Sequence, residues 1–313
     1  MLALHAVETF DLNFEYLDPV FKKCVYGGPR LERLFNGTRL GEGPTYFADL
    51  DIFIWSDIPN NRMLRYIEGQ GVSLFRSPSN HANGSTRDRE GRMLTCEHSG
   101  RRVVRTEVDG SITVIADQYA GRKLNSPNDV IVKSDGSIWF TDPSYGIREN
   151  WEGVLADREQ DTCNVYRVDP QSGDVTMVAD DCEMPNGLAF SLDEQKLFVT
   201  DTSRTEAPDG KHHFRVFDVI DGQRLGGSRV FAEVDPGIPD GFRLDAEGFI
   251  WTSAGDGIQC LAPNGDLVGK ILIPEPITNL VFGGPRGDRI FATGLTGLWS
   301  VFVNRTGAVR PHP

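Results

Sequence analysis

The chain has 313 residues, 39% of them hydrophobic and 10% aromatic, which suffices for a sizeable folded core in one large repeat domain or two ordinary ones. It carries 32 Lys and Arg against 45 Asp and Glu, a formal charge of -13, and such a field repels phosphate backbones and excludes nucleic acid as a partner. The five cysteines (Cys24, Cys96, Cys163, Cys182, Cys260) are odd in number and scattered without a Cys-x-x-Cys pair, so no zinc–thiolate site or disulfide framework is indicated, although a single Cys163–Cys182 pair stays open.

Met1 to Glu8 holds too short an apolar run for a leader peptide and no basic start, and no stretch reaches the length of a membrane span. A cytoplasmic monomer or dimer with no membrane partner is therefore expected. Residues 1–30 carry Phe10, Phe14, Tyr16, Phe21 and Tyr26 and end at Gly27-Gly28-Pro29. They read as an N-terminal arm docked on the outside, with a short helix near Pro19 to Cys24.

From Leu31 onward every apolar run is short, rich in Val, Ile, Phe and Trp, and bounded by Gly, Pro, Asn or Asp, which is the grammar of strands and turns. Six second strands align, ending at Asp57, Glu97, Asp142, Asp201, Ser253 and Thr293. Each is preceded by a strand opening at Glu42, Asn83, Asn128, Asn186, Asp240 or Asn279. Those six positions stand eight residues before a turn, at Leu50, Gly91, Gly136, Glu194, Gly248 and Gly287. A fixed register at a variable overall period is the signature of a repeat fold. Four antiparallel strands per unit and six units predict an all-β, six-bladed β-propeller over 31–313. The last unit, Asn279 to Val303, has three strands, while Leu31 to Phe35 stands alone before the first. The lone strand is expected to complete the last blade and close the ring, removing an open edge. A pair of sandwiched sheets would not explain the fixed register.

In a propeller the innermost strands line the central channel. The six opening residues are thus expected to ring one of its mouths. Asn and Asp before Gly are also ordinary turn formers. Six carboxylates and carboxamides at one mouth nevertheless form a set of oxygen donors suited to one divalent cation, calcium first, with magnesium, zinc or manganese as alternatives. Glu42 and Asp240 are the two charged members. The loops joining second to third strands fall on the same face, and two are long: Asp142 to Cys163 and Asp201 to His213. They read as walls of a pocket, with Tyr145 and Asp142 as candidate substrate contacts. His81, close to the ring, is a third.

The runs Glu42-Gly43-Pro44, Ser126-Pro127-Asn128-Asp129, Pro185-Asn186-Gly187 and Pro239-Asp240-Gly241, in this order and spacing, resemble the senescence-marker-protein/gluconolactonase (regucalcin-like) family. The likeness covers Leu31 to Val303 and is nearest to the bacterial gluconolactonases. It implies a calcium-binding propeller that hydrolyses a sugar lactone, with Glu42, Asn128, Asn186 and Asp240 as metal ligands and Asn128 also touching substrate. Two departures bear on specificity. Tyr46-Phe47 stand where the family often has Trp, and Ser126 stands where the animal branch has a sugar-gripping Arg. The reaction implied is metal-assisted ester hydrolysis of an aldonolactone, with Asp240 as general base toward the attacking water. Two alternatives remain at this stage: an organophosphate hydrolase on the same propeller, and a calcium-binding interaction scaffold without catalysis.

Overall fold

In the computed structural model, residues 7–308 are described; residues 1–6 of the arm, which include most of the segment read for a leader, and residues 309–313 lie outside the described residues. Six antiparallel sheets form the blades of a β-propeller. Blade one is Gly41–Phe47, Ile52–Asp57, Arg62–Ile67 and Gly71–Arg76, and blade two is Ala82–Arg87, Met93–Glu97, Arg102–Thr106 and Ile112–Ala116. Blade three is Val130–Val132, Ile138–Asp142, Asn164–Val168 and Val175–Ala179. Blade four is Pro185–Phe190, Lys196–Asp201, His213–Ile220 and Arg224–Glu233. Blade five is Phe242–Leu244, Ile250–Ala254, Gly257–Leu261 and Leu267–Leu272.

Blade six takes three strands from the end of the chain, Ile277–Gly283, Arg289–Gly294 and Gly297–Phe302, and its fourth from the start, Leu31–Asn36. The pairing runs antiparallel from Gly297↔Asn36 to Ser300↔Glu32. Arg289 crosses this seam, donating to Glu32 (2.8 Å) on the closing strand and to Glu68 (2.6 Å) on blade one.

The second strands are buried on both faces, because each blade packs a neighbour on either side. That is why they appear in the sequence as near-continuous apolar runs rather than alternating ones. Trp55, Trp139, Trp251 and Trp299 are fully buried between blades. Truncating such a residue to Ala typically costs about 3–5 kcal/mol. Outer strands such as Gly71–Arg76 are largely solvent-facing.

The arm does more than dock. Glu8–Phe10 adds a fifth strand to blade six, and Asn13–Tyr16 adds a fifth to blade five. A short 3-10 helix, Pro19–Lys23, follows, started by Asp18, whose Oδ1 accepts from the Val20 N–H at 2.7 Å. Phe21 on this helix is fully buried. The space it needs exists because residue 269 is glycine: a Cβ there would lie 2.2 Å from the Phe21 ring. All five cysteines are free and buried, so the Cys163–Cys182 pairing is not formed. Among the described residues no helix is long and apolar enough to cross a membrane.

Candidate active site

Each innermost strand is irregular where its ring residue sits. The pairing register shifts between Glu42 and Thr45, between Ala82 and Ser85, between Pro185 and Leu188, and between Ile277 and Asn279. In blades three and five the regular strand begins only after the ring residue, at Val130 and Phe242. Bulges of this kind re-aim a side chain out of the strand's alternation. The glycine that follows most ring residues lets neighbouring blades touch through their backbones. A Cβ on Gly43, itself at φ +57, would lie 1.9 Å from the Asn83 carbonyl oxygen, and one on Gly84 would lie 2.4 Å from that of Asn128. The same holds between Gly187 and the Asp240 carbonyl (2.4 Å) and between Gly241 and the Asn279 side chain (2.0 Å).

Two further contacts complete the circuit. Asn128 N–H donates to the Thr141 carbonyl (2.9 Å), while Thr141 Oγ1 donates to the Asn186 carbonyl (2.7 Å). Asn279 Nδ2 donates to Glu42 Oε2 (2.9 Å). Glu42, Asn83, Asn128, Asn186, Asp240 and Asn279 are thus brought together in a closed ring.

The charged members are electrostatically strained. Glu42 is 5% exposed; burial pushes its carboxyl up to about 7, against hydrogen bonds from Asn279 and the Gly43 N–H. Its Oε1 has no hydrogen-bond partner. Asp240 is half-buried at the mouth, and its carboxyl is raised well above the ordinary range, first by desolvation and then by the negative charges of Glu42, Glu152 and Asp129, with a hydrogen bond from Asn186 opposing. Asp129, beside the ring, is raised to about 6 by burial, with the Arg243 guanidinium opposing at 4.0 Å. Two carboxylates so placed are poised to share a counter-charge.

The acids that end second strands have a common task. Each binds the residue three before the ring position of its own blade. Asp57 Oδ1 accepts from Arg39 N–H (2.9 Å), Glu97 Oε2 from Asn80 Nδ2 (3.0 Å), Asp142 Oδ2 from Asn125 N–H (2.8 Å) and Asp201 Oδ2 from Glu183 N–H (2.8 Å). Asp142 is therefore a fully buried brace for the segment that presents Asn128, with no surface at the mouth. Burial raises its carboxyl to about 7.

Tyr145 opens a short helix, Tyr145–Arg148, in the long blade-three loop. Its hydroxyl meets Thr202 Oγ1 (2.7 Å) and Thr205 Oγ1 (3.0 Å) of the blade-four loop, while Thr202 Oγ1 also accepts from Asn186 Nδ2 (3.3 Å). An Arg148–Glu206 ion pair and Arg39 stacked 4.7 Å over the Trp151 ring further tie the blade-three loop in place. His81 is half-buried, with Nδ1 2.6 Å from Ser99 Oγ.

Three groups at the site had no reading of their own in the sequence. His98 is fully buried, 3.1 Å from Asn83 Nδ2. Glu152, half-buried in the blade-three loop, is pushed up to about 7 by desolvation and adds to the field at Asp240. The hydroxyls of Ser56, Thr141 and Thr200, each one residue before its second strand's last acid, donate to the ring carbonyls of the next blade: Asn83 (2.8 Å), Asn186 (2.7 Å) and Asp240 (3.0 Å). A hydroxyl or thiol recurs before four of those acids (Ser56, Cys96, Thr141, Thr200), a signal the sequence does carry.

Among the described residues no group of three His, Cys, Asp or Glu side chains converges in a metal-holding cluster. The ring offers a different donor set, two carboxylates among neutral amides, and such all-oxygen sets suit hard cations. The unpartnered Glu42 Oε1 and the raised proton affinity of Asp240 beside the Glu42 charge fit a divalent cation held by both.

The family described as SMP-30/Gluconolactonase/LRE-like region matches residues 40–296. The chain is 29% identical over 286 residues to a gluconolactonase of Zymomonas mobilis, covering 83% of this chain and 78% of that one. It is likewise 29% identical over 271 residues to a pentonolactonase of Haloferax volcanii, covering 83% and 82%. The structure superposes on a gluconolactonase of Xanthomonas campestris with a TM-score of 0.88 at 34% identity, covering 96% of this chain and 98% of that one.

Proposed function

The chain belongs to the SMP-30/gluconolactonase/LRE-like family, and from that premise we propose that it hydrolyses a sugar lactone to the aldonic acid at the ring of Glu42, Asn128, Asn186 and Asp240. The observation that carries this reading is the pair of carboxylates, Glu42 and Asp240, inside a ring of amides, where burial raises both and the Glu42 charge further raises the proton affinity of Asp240. The lactone class comes from the relatives, a gluconolactonase and a pentonolactonase. A divalent cation, calcium by the chemistry of the donors, would be held by Glu42 Oε1, Asp240 and the amide oxygens of Asn128 and Asn186, and when bound supplies positive charge beside the lactone carbonyl.

The protein's own groups do the rest. Asp240 serves as the base, its proton affinity set by burial and the Glu42 charge on one side and by the cation it would hold on the other. Water attacks the carbonyl carbon as its proton passes to Asp240. The ring C–O bond then breaks, and Asp240 returns that proton to the departing ring oxygen, leaving a hydroxy acid. Asn128 stays in place because Asp142 braces the segment before it. The blade-three and blade-four loops are joined through Tyr145 and Thr202, and Thr202 in turn accepts from the Asn186 amide, which ties the loops to the ring.

The test is gluconolactone hydrolysis by Asp240→Asn. Loss of a general base typically costs about 10²–10⁴ in rate, so kcat should fall on that scale while the melting temperature holds or rises, since a repelled buried charge is removed. A folded Asp240→Asn protein with wild-type kcat would exclude Asp240 from the chemistry.

A further inference from the structure

We propose that Asn83 is a further oxygen donor to the cation of this ring, aimed by the buried imidazole of His98; this rests on the cation-binding reading above.

Asn83 is 3% exposed, and its Oδ1 has no hydrogen-bond partner. An orphaned buried acceptor is costly, and such a group calls for something that meets it. Its orientation is set from the other side. Asn83 Nδ2 lies 3.1 Å from His98 Nε2, and His98 Nδ1 lies 2.8 Å from the Glu152 carbonyl oxygen. A carbonyl can only accept, so Nδ1 carries the hydrogen. The Asn83 amide nitrogen can only donate, so the Nε2 it faces is the ring nitrogen with the lone pair. Nε2 therefore accepts from the Asn83 amide, and the amide oxygen is turned away from His98.

Glu42 is divided in the same way: Oε2 accepts from the Gly43 N–H and from Asn279, and Oε1 is left over. The two leftover oxygens belong to adjacent blades whose backbones are in contact at Gly43 and Asn83. Asn83 Oδ1 is closed off from solvent and has no protein donor, which suits an enclosed ion better than a substrate hydroxyl arriving from the mouth. Neutral amide oxygens are ordinary ligands of hard cations. The blade-three loop takes part too. Gly146 packs on His98 so closely that a Cβ there would lie 2.4 Å from the imidazole's Cβ. One side chain thus sets both the loop and the ring amide.

The experiment is calorimetric titration of calcium into the metal-free full chain, with folding followed by circular dichroism and melting temperature. Wild type, Asn83→Leu, His98→Leu and His98→Gln are compared. Outer contacts to metal sites are worth about 10- to 100-fold in affinity. Asn83→Leu and His98→Leu should weaken calcium binding on that scale. His98→Gln, whose amide can accept from Asn83 and donate to Glu152, should recover most of it. If the Leu variant does not fold, Asn83→Ala removes the amide without adding bulk. Unchanged affinity in a folded Asn83 variant would overturn Asn83 as a ligand, and equal losses in the Leu and Gln variants at 98 would overturn the aiming role. Wild type that binds no calcium, magnesium, zinc or manganese would instead overturn the cation reading on which both stand.

Discussion

At Glu42 the two carboxylate oxygens have different neighbours: one takes hydrogen bonds from Asn279 and the Gly43 N–H, and the other takes none. Asp142 shows the opposite use of a buried acid, spent on the Asn125 N–H beneath the ring. The sequence distinguishes these poorly, since both are single acids at strand ends; Asp142 stands at the start of a long loop and so reads as a pocket wall. Its titration separates the roles. Burial raises the folded carboxyl from near 3.8 to about 7, so the folded state takes up a proton that the unfolded chain releases. That contribution to stability is full at pH below the unfolded value and is lost as pH rises through about 7. Asp142→Asn lacks this loss while keeping an acceptor. Measured by denaturant unfolding, it should match wild type in acid and become the more stable protein with rising pH, by a limiting difference of about 4 kcal/mol. Parallel pH profiles for the two proteins would contradict this placement. The six ring positions, by contrast, were legible, because carboxylate or carboxamide side chains recur at one offset from a turn.

Among the elements, the second strands could be read closely because burial on both faces makes them continuous apolar runs. The outermost strands face solvent and carry little such pattern. The arm strands Glu8–Phe10 and Asn13–Tyr16 and the full length of blade four's last strand, Arg224–Glu233, thus have no signal of their own. Bulges at the ring residues leave no apolar signature either, although the following glycines mark where backbones must meet. Gly43 is the sharpest case, needing both a left-handed backbone and an open side toward Asn83. Gly43→Ala should lose about 3 kcal/mol or more of unfolding free energy and weaken calcium binding with it. A Gly43→Ala protein as stable as wild type would show that the close approach is not required.

For the whole molecule, ring closure was legible from the strand count, since a three-stranded last blade and a lone first strand have one economical solution. The pairing of Leu31–Asn36 with Gly297–Phe302, crossed by Arg289, makes the chain's two ends one structural unit. A chain begun at Gly37 should therefore expose the edge of blade six and aggregate. A chain begun at Leu12 loses, among the described residues, the outermost Glu8–Phe10 strand and the exposed Asp11–Arg30 pair and should stay folded; a soluble, cooperatively melting protein begun at Gly37 would contradict the closure of the ring by Leu31–Asn36. The same ring gathers Glu42 of blade one, Asn128 of blade three, Asn186 of blade four and Asp240 of blade five at one mouth, a convergence no single segment can provide. On the proposed reading this convergence holds a divalent cation for lactone hydrolysis. The most direct measurement is gluconolactone hydrolysis before chelation, after it, and after adding back calcium, magnesium, zinc or manganese in turn. Stringent chelation should abolish turnover and a divalent cation should restore it, whereas turnover untouched by chelation would contradict cation-assisted hydrolysis.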